Sequence, residues 1–278
     1  MHAPQRFSSA VWAAFETAIP TLHPAAFRIR PHIHERVDTA GLISTLDKIA
    51  TRGTHAIILK APELPEVIDA VNQLADRAVP VITIVTDLPT SNRVAYVGID
   101  NRAAGATAAY LISQWLPTGP DPANVLVTMS SQDFRGEEER QIGFRRTARA
   151  IAPDWRTYHL TETEGLDATI TEQLDTIART QTIHAVYSIG GGNRATLRTL
   201  ELHGQRPGVY IAHDLDADNR HLLGAGDLSA VLHHDLTTDA RRACHLIMQT
   251  HNAIPGRPTS QAAPTQVITP YNTPTLPG

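Results

Sequence analysis

Cysteine is almost missing from this chain of 278 residues, with Cys244 the single one. One thiol excludes an intrachain disulfide and a cysteine-rich zinc site. The usage fits a reducing compartment, and the cytoplasm is the expected location. An excess of one charge is also missing: 24 Lys+Arg stand against 28 Asp+Glu, a formal net charge of −4. That balance gives no basic field for holding nucleic acid or an anionic membrane along the surface. Long apolar runs are absent as well, the best ones, 56–59 and 81–85, being strand-length, far short of the roughly 18 residues of a membrane helix. The opening MHAPQRFSSAVWAAFETAIP has no basic stretch followed by an apolar one, so no export signal is read there. What is present is ordinary for a folded chain, 42% hydrophobic and 19% charged residues, enough for one large or two medium domains.

Short apolar runs rich in β-branched residues alternate with longer amphipathic stretches, the pattern of βαβ units. Strands are predicted at 26–33, 56–60, 81–86, 94–99, 125–129, 156–160, 185–189, 209–213, 230–233 and 266–269. Helices are predicted at 8–19, 41–51, 64–77, 102–115, 137–151, 166–179, 194–203 and 236–250. In 41–51, Leu42, Ile43, Leu46 and Ile49 fall at helical spacing, with Gly53 just past the end. Segments such as HAIIL and VITIV are apolar on both faces, as parallel strands covered by helices on each side require. The predicted fold class is therefore α/β, doubly wound. Linker-like stretches at 117–122, around 204–207 and from 255 onward are too short for a flexible tether between independent domains.

Gly190-Gly191-Gly192-Asn193 follows a predicted strand and opens a helix, where free backbone N–H groups receive polar ligands. It is not a dinucleotide fingerprint, because Ala195 stands at the third glycine; the alternative is a tight turn with Asn193 as the helix cap. Asp214, Asp216 and Asp218 imitate the start of a calcium loop, but Asn219 and Ala225 occupy the positions that need Gly and Glu. Those carboxylates are better divided between a strand-end site and a helix N-terminus. His32 and His34 share a strand face and His233 and His234 point oppositely; no metal site is expected. Cys244 reads as a core residue, and the run Glu137 to Glu139 as a solvated helix start. No nucleophile or base constellation is visible, so no enzyme is expected. Asp100-Asn101, Ser130-Ser131, Gly190 to Asn193 and Asp214 all end predicted strands, and ligands of doubly wound sheets sit outside the carboxyl ends of strands.

Taken in order, VGIDNRAAG (97–105), ERQIGF (139–144), AVYSIGGGNRATL (185–197) and YIAHDLD (210–216) followed by SAVLHHDLTTDARRA resemble the effector-binding core of LacI-family transcriptional regulators and the related type I periplasmic sugar-binding proteins. The resemblance spans nearly the whole chain. It implies two doubly wound parallel-sheet lobes joined by three crossovers, one lobe of residues 1–99 plus 216–265 and the other of 100–215 plus 266–278, with a small ligand clamped between them. Its strand-end aspartate falls on Asp100, with Asn101 beside it; its arginine falls on Arg140 and its second aspartate on Asp214. A fork of guanidinium donors and paired carboxylate acceptors suits vicinal hydroxyls. Asn193 and His234 are expected to complete the ring of partners. Phe7 takes the place of a ring that stacks on the sugar, with ordinary core packing the alternative. The family's Asn-Asp pair is replaced here by Gly191 and Gly192, and its last glutamine by His234.

The leading expectation is the ligand-sensing core of a LacI-type regulator, a cytoplasmic homodimer with a carbohydrate effector, no cofactor, and operator DNA met only through an N-terminal domain outside this sequence. The alternative is the solute-binding protein of a sugar ABC transporter.

Overall fold

The computed structural model describes residues 1, 5–34, 38–116 and 122–274; most of the linker-like stretch at 117–122 lies outside them. In chain order the elements are α1 (Gln5–Ala18), a 3-10 turn (Ile19–Thr21), α2 (Thr39–Thr51), β1 (Ile57–Leu59), α3 (Pro65–Asp76), β2 (Val81–Ile84), β3 (Ala95–Val97), α4 (Asn101–Trp115), β4 (Asn124–Thr128) and α5 (Arg135–Ile151). They continue with β5 (Arg156–Leu160), α6 (Asp167–Ala178), β6 (Ala185–Ser188), α7 (Asn193–Leu202), β7 (Val209–His213), α8 (Ala217–Ala225), β8 (Ala230–His233), α9 (Leu236–Thr250) and β9 (Gln266–Ile268). Among the described residues no helix is long and apolar enough to cross a membrane.

The chain divides into two compact units. Unit 1 comprises Met1–Ile99, Asp133–Gly136 and His234–Pro264, and unit 2 comprises Asp100–Gln132, Glu137–His233 and Thr265–Gly278. The second crossover thus lies between His233 and His234, not at 214–216 as the resemblance implied. The reason is local: α8 and β8 remain with unit 2 because β8 extends its sheet, pairing parallel to β7 through Ile211–Ala230 and Ala212–Val231.

Unit 1 carries the parallel sheet β1-β2-β3. Its strands alternate their side chains between two helical layers. Ile57, Leu59 and Val81 meet Leu42 and Leu46 of α2 and Val67, Val71 and Leu74 of α3. Ile82, Ile84 and Val97 meet Val11 and Phe15 of α1 and Ala243, Cys244 and Ile247 of α9. The strand predicted at 26–33 is absent; that segment joins no ladder, although Phe27 and Ile29 pack on the core, and Pro31 has no N–H to give to a ladder.

Unit 2 has the sheet order β5-β4-β6-β7-β8-β9. It is parallel except for β9, which lies antiparallel to β8, because the chain re-enters this unit after α9 with no helix crossing back over the sheet. One face buries Val125, Val127, Tyr187 and Ile211 under α4 and α5. The other buries Leu126, Val186 and Tyr210 under α6, α7 and α8. Burial on both faces explains why these strands read as continuous apolar runs.

Candidate functional site

The carboxyl ends of β4, β6 and β7 and the first two turns of α4 and α5 gather a buried polar group in unit 2. Its centre is Arg140, on the second turn of α5 and 3% exposed. The Arg140 Nε donates to Asn101 Oδ1 at 2.8 Å and its Nη1 to the Ile189 carbonyl at 3.4 Å. The same Nη1 lies 4.0 Å from Asp214 Oδ2. A buried guanidinium is tolerated only with such partners, since desolvating it alone is costly.

Two glycines bring α5 to this position. A Cβ on Gly105 of α4 would stand 1.9 Å from the Arg140 carbonyl oxygen, and one on Gly143 of α5 would stand 2.1 Å from that of Arg102. Only glycine admits so close a helix crossing, and that crossing sets Arg140 beside Asn101. Glu137, one turn earlier, accepts from the Ser130 N–H at 2.7 Å and from the Ser130 hydroxyl, tying α5 to the end of β4. It is therefore a structural clamp, not part of a solvated helix start; Glu138 is exposed and Glu139 pairs with Arg102 at 3.6 Å.

Asp214 leaves β7 in a left-handed conformation, φ 64°, which is rare for a residue with a Cβ. Asn219 holds that bend. Its Nδ2 donates to the carbonyls of His213 at 2.8 Å and Asp214 at 2.7 Å, and its Oδ1 accepts from Asn193 Nδ2 at 2.6 Å. Asn193 Oδ1 in turn accepts from the Tyr210 hydroxyl at 2.9 Å. Burial raises the Tyr210 phenol far above its ordinary value, so it keeps the proton it donates. In the same unit, Tyr187 stacks on Phe144 and its hydroxyl lies 2.8 Å from His213 Nε2. Burial raises this phenol also, while the Arg140 guanidinium pulls the other way.

The seven residues expected at the site fall in two groups. Arg140, Asn101 and Asp214 come together in unit 2. Asp100 is exposed there and caps α4, its Oδ1 accepting from the Ala103 N–H at 2.9 Å. Asn193 is buried, and both ends of its amide are engaged behind Asp214 rather than presented to solvent; the cap of α7 is Gly192, φ 75°. Phe7 and His234 belong to unit 1. Phe7 is 8% exposed and packs with Val11, Phe15 and the α9 residues, so its ring is a core side chain and has little face left for stacking. His234, 1% exposed, points Nδ1 at the Asp239 carboxylate. The three aspartates of HDLDADN separate as expected: Asp214 at the strand end, Asp216 capping α8 through the Asn219 N–H, and Asp218 paired with Arg194 at 2.7 Å. Sequence reasoning passed over Asn219, Tyr187, His213 and the two crossing glycines. The signal for Asn219 was its place three residues after a capping Asp; the others show no local pattern, because their partners are distant in sequence. Among the described residues no group of three or more His, Cys, Asp or Glu is placed to hold a metal ion.

The family described as Periplasmic binding protein domain matches residues 3–251. The chain belongs to that family. No curated protein sequence matches it. Among solved structures, this periplasmic binding protein domain is similar to GanP, a glucose-galactose binding protein from Geobacillus stearothermophilus, with a TM-score of 0.83 at 20% identity over 99% of this chain and 96% of that one. It is similar also to an ABC transporter solute-binding protein from Burkholderia graminis in complex with D-arabinose, TM-score 0.83, 19% identity, covering 96% and 92%. A fructose-binding periplasmic domain of a hybrid two-component system gives a TM-score of 0.83 at 15% identity, covering 98% and 89%. At these identities the likeness shows the fold: two α/β units with parallel sheets, of the type I periplasmic-binding-protein kind.

Proposed function

We propose that this domain is a non-catalytic sugar-binding protein of the solute-binding type, handing a monosaccharide to a transporter. The observation that carries the reading is the buried Arg140 fork, fixed by Asn101 and facing Asp214 at the carboxyl edge of unit 2. Planar donors set beside a carboxylate suit adjacent hydroxyls. End-to-end likeness to proteins whose titles name glucose-galactose and D-arabinose supports the same reading. Asp100 joins the group if its carboxylate turns from its cap toward the ligand.

Titration calorimetry of the purified chain with D-glucose, D-galactose, D-arabinose, D-fucose and D-fructose tests it. Saturable binding of at least one is the expected result, and no heat from any of them at millimolar concentration overturns the proposal. A sensory use of the same ligand is the second reading, favoured by the likeness to a domain of a hybrid two-component system. The LacI-type version, with its homodimer, operator DNA and cytoplasmic location, stands on the sequence resemblance alone. Light scattering separates it, since a solute-binding protein is expected to be monomeric at tens of micromolar and a regulator core dimeric.

A further inference from the structure

We propose that Tyr210, Asn193 and Asn219 form a positioning relay that fixes the Asp214 carboxylate beside Arg140, and that Asn219 is its decisive member. This deepens the sugar-binding reading and rests on it. The relay runs in one direction only. The Tyr210 hydroxyl donates to Asn193 Oδ1, which leaves Asn193 Nδ2 to donate to Asn219 Oδ1, which leaves Asn219 Nδ2 to donate to two successive carbonyls, of His213 and Asp214. Each hydrogen bond sets the orientation of the next amide, so neither asparagine has a choice of flip.

The geometry shows why such a device belongs here. Asp214 holds a positive φ of 64°, a conformation that costs free energy unless its surroundings fix it. Two hydrogen bonds onto the carbonyls on either side of its Cα hold that bend from behind, and none of them uses its carboxylate. The relay ties three separate pieces of backbone, in β7, the first turn of α7 and the first turn of α8, to one strand end. Asn219 N–H is itself anchored on the α8 cap, Asp216 Oδ1, at 2.8 Å. Asn193 and Asn219 therefore act through Asp214 and are not ligand contacts.

Three variants of the full chain test this: Asn219→Asp, which turns the donor into an acceptor against two carbonyls, Asn193→Ala, which leaves those donations but unfixes them, and Tyr210→Phe, which removes one hydroxyl from the far end. The first readout needs no ligand: in ¹⁵N and ¹³C NMR the Asp214 amide and carboxyl and the Arg140 Nε–H resonances are expected to shift in all three variants. The second is calorimetry with whichever of the five sugars the wild type binds, where Asn219→Asp is expected to weaken binding about tenfold or more and Tyr210→Phe less. If the Asp214 and Arg140 resonances stay in place in a folded Tyr210→Phe or Asn193→Ala chain, the relay is overturned. Shifted resonances with unchanged affinity overturn its role in binding. A wild type that binds none of the sugars overturns the sugar-binding reading instead, while the NMR arm still decides the relay.

Discussion

Replacing Arg140 by alanine removes a guanidinium that is nearly inaccessible, and two losses follow. Any sugar held by its fork loses a charged hydrogen-bond pair, an expected weakening of about ten- to over a hundredfold. The fold loses something as well, because Asn101 Oδ1 and the Ile189 carbonyl are left without their donor, at about 1–3 kcal/mol for a buried group stripped of its partner. Calorimetry reads the first and urea unfolding the second; unchanged affinity in the variant would remove Arg140 from the site. The sequence resemblance assigned Arg140, Asn101 and Asp214, and the structure brings these three together. It did not indicate that Arg140 would be as buried as a core residue. Burial depends on the crossing of α4 over α5, and no single segment of sequence records that crossing.

At the scale of elements, the crossing itself is testable. A methyl group at Gly105 collides with the Arg140 carbonyl, so Gly105→Ala is expected to cost about 1–3 kcal/mol, as overpacking does, and to reduce sugar affinity because it moves the backbone that carries the guanidinium. A denaturant midpoint equal to that of the wild type would contradict the close approach. Elsewhere α6 and α7 are joined by Asp175, which takes His203 Nε2 at 2.9 Å and Arg179 Nη2 at 2.7 Å. These hydrogen bonds, His203 first, hold the Asp175 carboxyl below its ordinary value of 3.8. A depressed carboxylate contributes stability that is present above the ordinary value and is lost as pH falls through the depressed one. Asp175→Asn is therefore expected to leave stability at pH 3 closer to that at pH 6 than in the wild type; an identical acid limb would show the pair to be idle. Elements with strong apolar patterning were legible: β7, β8 and α9 fall where apolar spacing puts them. The segment 26–33 misled because its alternation is real, with Phe27 and Ile29 turned inward, but alternation reports burial and not ladder hydrogen bonds. Helix α8 was hidden because its nine residues bear two charges and bury only Asn219, Leu222 and Leu223; its signals were the Asp216 cap and Gly226, which ends it at φ 79°.

For the molecule as a whole, a ligand that binds only the folded state stabilises by mass action. A sugar at a hundred times its Kd is expected to add about 2.7 kcal/mol and to raise the melting temperature by roughly 5–10 °C for a unit of this size; a melting curve indifferent to a sugar that calorimetry shows to bind would place the binding outside the folded state. The apolar face made by α1, β2 and β3 has a further consequence, for the making of the protein. Its cover is α9, which follows the two longer segments of unit 2, Asp100–Gln132 and Glu137–His233, in the chain. On a ribosome adding about 5–20 residues per second, the first hundred residues emerge and then wait through the synthesis of about 140 more before Ala243, Cys244 and Ile247 exist. During that interval the growing chain has α1 but not α9 to pack on Ile82 and Ile84, so the faces of Val11 and Phe15 that α9 covers stay open to the cell, and that vulnerability follows from the order of the sequence even though the finished fold shows no trace of it.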